Sequence, residues 1–153
     1  MKLFISFVML LVVSMGAVAA QVTPPKQQED VLLFCETMDG KKLMVTRAPV
    51  TDIFTILYGE DLQKPERVTV KIGNDMGTSY KHSSAEGTAN REIYAGEGQK
   101  FTTVGVTDDK GELSAYYFVQ EGTAKTINTK CDKHTIESKF SFDENFTNLT
   151  YVD

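Results

Sequence analysis

The pattern of apolar and polar positions reads as a succession of short β-strands. In "DVLLFCET", from residue 30, Val31, Leu33 and Cys35 fall on one face and Leu32 and Phe34 on the other, as expected of a strand covered on both sides. Asp39-Gly40 follows as a hairpin signal, since both residue types tolerate positive φ, and the chain returns through "KLMVTR". "DIFTILY" makes another strand after Pro49 and stops before Gly59. "RVTVKI" alternates cleanly, which predicts Val68, Val70 and Ile72 turned to the core and Thr69 and Lys71 turned to water. A polar segment over 73–90 then interrupts the series before "REIYA" resumes it. In "QKFTTVGVT" the apolar positions Phe101, Val104 and Val106 change parity, and a β-bulge near Thr102-Thr103 restores a common face. The turn "DDKG" at 108–111 leads into "ELSAYYFVQ", where alternation groups Tyr117 with Leu113 and Ala115 as core. "TAKTINTKC", "TIESKFSF" and "FTNLTY" complete the series.

About nine or ten short strands at roughly 8 to 12 residue spacing, with no competing helical period, predict an all-β fold: an antiparallel sandwich or barrel. One β-domain over 30–153 accommodates them. The tail beyond Cys131 is weakly hydrophobic, which suits an edge strand or a homodimer contact.

The N-terminus is different in kind. Lys2 precedes an apolar run over 3–13 broken only by Ser6, and Ala17-Val18-Ala19-Ala20 follows. This is the layout of a signal peptide over 1–20, with cleavage expected after Ala19 or Ala20. No membrane anchor is expected, because no later stretch approaches the roughly 20 apolar residues of a span. Residues 21–29, polar with two prolines, read as a flexible leader. The 16 Lys and Arg against 21 Asp and Glu leave a net charge of −5, or −6 once Lys2 is removed. An acidic surface without basic clusters argues against nucleic acid and suits a basic partner. Export makes the two cysteines, Cys35 and Cys131, a structural disulfide closing a loop of roughly 100 residues.

No motif for catalysis stands out. His82 beside Ser83 and Ser84 invites a hydrolase reading, but triad members converge from separated positions, and no Gly-x-Ser-x-Gly elbow is present. His82 and His134 each lack a second ligand at metal spacing, and neither "DDKGE" nor "DENFTN" fits a calcium loop. No cofactor and no metal are therefore expected, and the chain is read as a non-enzyme. Asn145 and Asn148 begin glycosylation acceptor triplets; in a bacterial export product they stay unmodified. The long polar connection draws more interest, since such loops in compact domains are commonly functional or disordered, the competing expectation being a plain solvent loop or edge strands in which "TSYKH" pairs. Ser79, Lys81, His82, Ser83 and Ser84 surround the amphipathic Tyr80, a composition suited to entering a concave cleft with the tyrosine as anchor.

The Leu33-Phe34-Cys35 strand, its glycine hairpin, Gly77-Thr78-Ser79-Tyr80, and Tyr94 ahead of Gly96-Glu97-Gly98 resemble the periplasmic C-type lysozyme inhibitor family. That family carries a Ser-Gly-x-x-Tyr loop; here Met76 stands in place of the serine, so the inhibitory serine has no counterpart. In overall plan the chain also resembles exported immunity proteins of type VI secretion users. These resemblances imply a periplasmic protein that occludes a secreted cell-wall hydrolase effector or lysozyme; the expected contact at 79–84 comes from the composition of that run. The rival expectation is a structural or small-ligand-binding envelope protein whose site is a barrel interior.

Overall fold

A computed structural model describes residues 29–83, 86–140 and 150–151. The signal peptide, most of the leader, Ser84, Asn145 and Asn148 lie outside the described residues. The chain forms β1 (Asp30–Glu36), β2 (Lys42–Ala48), β3 (Ile53–Gly59), β4 (Arg67–Ile72), β5 (Met76–Ser83), β6 (Thr88–Glu97), β7 (Lys100–Asp109), β8 (Glu112–Glu121) and β9 (Ala124–Lys130). Two-residue strands β10 (Glu137–Ser138) and β11 (Thr150–Tyr151) follow. Sheet I has the order β10-β1-β2-β3-β4 and sheet II the order β11-β5-β6-β7-β8-β9. The pairings are antiparallel apart from the short parallel contact of β11 with β5. This is the all-β fold that the strand spacing predicts, in its sandwich form.

One continuous core joins the inner faces of the two sheets. Leu33, Cys35, Leu43, Val45, Phe54 and Ile56 come from sheet I, and Ile93, Val104, Val106, Tyr117 and Val119 meet them from sheet II. The Tyr58 and Tyr117 rings lie 4.9 Å apart across the interface. Cys35 and Cys131 form the disulfide, with Cα atoms 5.7 Å apart. Beside it, the Asp132 N–H donates to the Glu36 carbonyl and the Met38 N–H to the Lys130 carbonyl, so the end of β9 is sewn to the end of β1.

Several local expectations are corrected. The first hairpin is not a two-residue turn. The Gly40 N–H donates to the Thr37 carbonyl, the Thr37 N–H donates to the Lys41 carbonyl, and Gly40 alone has left-handed backbone, at φ 80°. Met38-Asp39-Gly40 is thus the three-residue loop that ends on a glycine. In β1 the register shifts between Val31 and Leu33, which leaves Leu32 buried and turns Val31 outward, away from the face it was expected to share with Leu33. β7, by contrast, pairs with both neighbours without a shift. The parity change there is real: Thr102, Val104 and Val106 face inward, buried, and Phe101 faces out. A threonine accepted into the core removes the need for a bulge.

The clearest reversal is β4. Val68, Val70 and Ile72 are 53%, 54% and 54% exposed. They pair with Leu57, Thr55 and Ile53 on the outer side of sheet I, whereas Arg67, Thr69 and Lys71 lie opposite the buried Tyr58, Ile56 and Phe54. Alternation tells that a strand has two unlike faces, not which of them meets the core.

Candidate functional site

The polar connection expected over 73–90 is a hairpin. After a 3-10 turn at Gly73–Asp75, β5 runs antiparallel to β6 over its whole length. Ser79 lies opposite Glu92, Tyr80 opposite Arg91, Lys81 opposite Asn90, His82 opposite Ala89 and Ser83 opposite Thr88. Cross-strand bonds satisfy the side of the backbone that faces β6, and Thr, Ser and Tyr all suit a pleated surface, so polar composition does not prevent a strand. Alternation therefore divides the expected contact run. Positions 79, 81 and 83 fall in the rows of Glu92, Asn90 and Thr88, while 80 and 82 fall in those of Arg91 and Ala89. Arg91 is 1% exposed on the inner side. The side chains of 79–83 and the whole of Ser84 lie outside the described residues.

The rows that begin at 77 and 79 lead across sheet II to a group of aromatic side chains on its outer face. One row runs Gly77, Tyr94, Thr103, Phe118 and Asn128; the next runs Ser79, Glu92, Gly105, Tyr116 and Lys130. Tyr94 and Tyr116 donate their hydroxyls to the two different oxygens of the Glu92 carboxylate. Burial, and then the bond to Glu92, push the Tyr116 phenol well above its ordinary value. One carboxylate thus fixes the hydroxyl ends of both tyrosines on this face.

Gly105 explains why Tyr116 lies flat. A Cβ built at Gly105 falls 2.1 Å from Tyr116 Cε1, so any side chain there displaces the ring. This is the glycine-aromatic pairing by which sheets seat a ring across a strand. The patch extends to Phe101, whose ring centre is 5.5 Å from that of Phe118. On its other side the Thr107 hydroxyl donates to Asn90 Oδ1 at 2.9 Å.

Sequence reading missed this face. It placed Tyr117 correctly in the core, at 1% exposure, yet did not follow Tyr116 and Phe118 to the opposite side. The available signal was Gly105 inside an apolar strand, marking a close approach that only a partner strand's side chain could explain.

A second polar centre ties the sheets together. Asp39 accepts hydroxyl bonds from Thr37 at 2.6 Å, from Thr129 at 3.2 Å and from Tyr58. Partial burial works to raise its pKa, but these hydroxyl bonds outweigh that and hold the carboxyl below its ordinary value. Thr129 belongs to β9 and Tyr58 to β3, so the loop aspartate bridges both sheets. The core cluster fills the middle of the space between the sheets, and an open groove remains at its β4 side.

Comparisons with family models, with curated proteins and with solved structures return no match. What fold and site define is a disulfide-closed β-sandwich that carries a braced aromatic face on the outside of its larger sheet.

Proposed function

We propose that this protein is a non-enzymatic periplasmic inhibitor that docks the outer face of sheet II onto a cell-wall-degrading, muramidase-like enzyme. It acts as an immunity protein against a secreted effector or as an inhibitor of lysozyme. The observation that carries this reading is the pair of tyrosines braced on Glu92. Tyrosine offers a large, rigid contact with a polar tip, and locking its ring before binding reduces the entropy lost on association. Glycoside hydrolases work with paired carboxylates. Lys130, opposite Tyr116, and Lys81, in the row of Asn90, supply opposite charge on the same sheet. Of the contact run read from the sequence, Ser79, Lys81 and Ser83 fall by backbone register in the rows of this face and Tyr80 and His82 in the alternate rows, and Ser84 lies outside the described residues.

The test begins with capture. Mature, oxidised protein should retain a peptidoglycan hydrolase from the secreted fraction and stop its turnover at equimolar ratio. A Tyr94→Ala, Tyr116→Ala variant should weaken that inhibition by about tenfold or more, the loss of two anchors. Failure to retain or inhibit any hydrolase overturns the function. Inhibition undiminished in the folded double variant overturns the face.

A further inference from the structure

The reversal of β4 has a consequence inside the sandwich. Where an inward-facing apolar row would close sheet I onto sheet II, β4 presents Arg67, Thr69 and Lys71. An open groove of about 580 Å³ lies there, between β4 and the ends of β6, β7 and β8. Arg67 and Lys71 line one side and Lys100 and Glu121 the other, with Phe101 and Val119 supplying apolar wall. Arg67 is bonded to Glu121, the groove's one carboxylate. Lys71 and Lys100 have no carboxylate within ion-pair distance among the described residues. Among the described residues lining the groove, three cations thus meet one carboxylate, Glu121, which with Glu97 is also a cross-strand neighbour of Lys100.

We propose that this groove binds a small organic anion, its carboxylate or phosphate oxygens held between Lys71 and Lys100 and its apolar portion against Phe101 and Val119. The volume falls within the roughly 300–1,000 Å³ of small-ligand sites. The mixture of apolar wall and a few convergent charges is the composition such sites show. Arg67, held in place by Glu121, presents its remaining N–H groups as a fixed edge beside the lysines. The proposal does not rest on the inhibitor reading, since it concerns the groove beside β4 rather than the outer face of sheet II, with Phe101 at the border of the two, and a ligand of a different size.

The experiment is an amide chemical-shift titration of the mature, oxidised protein at low ionic strength, with inorganic pyrophosphate and separately with citrate. Saturating shifts at Gly96, Lys100 and Gln120 are expected, with a Kd of about 1 mM or tighter. Saturation by pyrophosphate alone assigns a phosphate ligand, and by citrate alone a carboxylate. Lys71→Ala, Lys100→Ala should weaken binding by about tenfold or more, while Lys42→Ala, Lys64→Ala, away from the groove, should leave it unchanged. Shifts that stay linear with both probes, or that weaken equally in both variants, overturn the proposal.

Discussion

Asp39 and Gly105 show how much a single residue can decide in this chain. Asp39 sits in a hairpin loop, yet its carboxylate gathers hydroxyls from Thr37, Tyr58 and Thr129. A carboxyl held below its ordinary value in the folded state stabilises at pH above the unfolded value, near 4, and that contribution is lost as pH falls through the folded value. Urea midpoints measured from pH 7 to 3 should therefore fall in the acid limb, and less so in Asp39→Asn. Parallel acid limbs in the two proteins contradict this role. At Gly105 the limit is space. Gly105→Ala drives a methyl group into the Tyr116 ring, with an expected cost of about 1–3 kcal/mol by denaturant unfolding and a more exposed Tyr116 phenol. A variant as stable as the wild type would show that the ring does not need the glycine.

Among the elements, β4 and β5 depart furthest from their sequence pattern. The alternation of "RVTVKI" is read correctly as a strand and incorrectly as to side, because the same pattern fits either orientation. Val68 and Val70 are exposed, so Val68→Thr, Val70→Thr should change unfolding free energy by no more than about 0.5 kcal/mol. A loss of several kcal/mol would return these valines to the core. β5 was hidden by its polarity. A segment of Ser, Thr, Lys and His reads as a connection, but pairing with β6 satisfies one side of its backbone, and no composition rule reports a pairing partner. The bulge expected in β7 failed for a related reason: Thr102 is tolerated inside, so the strand kept its register.

For the molecule as a whole, closure is the controlling event. The disulfide joins residues 96 apart in sequence, and the backbone bonds beside it fasten β9 to β1. In the chain-entropy view such a loop contributes about 4–5 kcal/mol, so a Cys35→Ala, Cys131→Ala variant should unfold at markedly lower urea than the oxidised protein. An unchanged midpoint would mean that the backbone bonds alone suffice. Tyr58 and Tyr117 meet at a tilt across the same inter-sheet space, with burial pushing the Tyr117 phenol up to about 12 against the lowering effect of Arg67.

The sequence by itself determined that the chain is a β-protein, where most strands lie, that Cys35 and Cys131 pair, and that Tyr117 belongs to the core. These follow from local alternation, turn residues and the small number of cysteines, all readable along one dimension. Only the tertiary structure decided which face of β4 looks inward, that the polar run at 76–83 is a strand, and that Tyr94 and Tyr116 meet on Glu92. Each of those depends on which strands become neighbours. Glu92 reaches Tyr116 only because β7 lies between β6 and β8 and carries a glycine at the crossing point. The aromatic face and the cationic groove are products of strand order, a property set by the packing of two sheets rather than by any one segment.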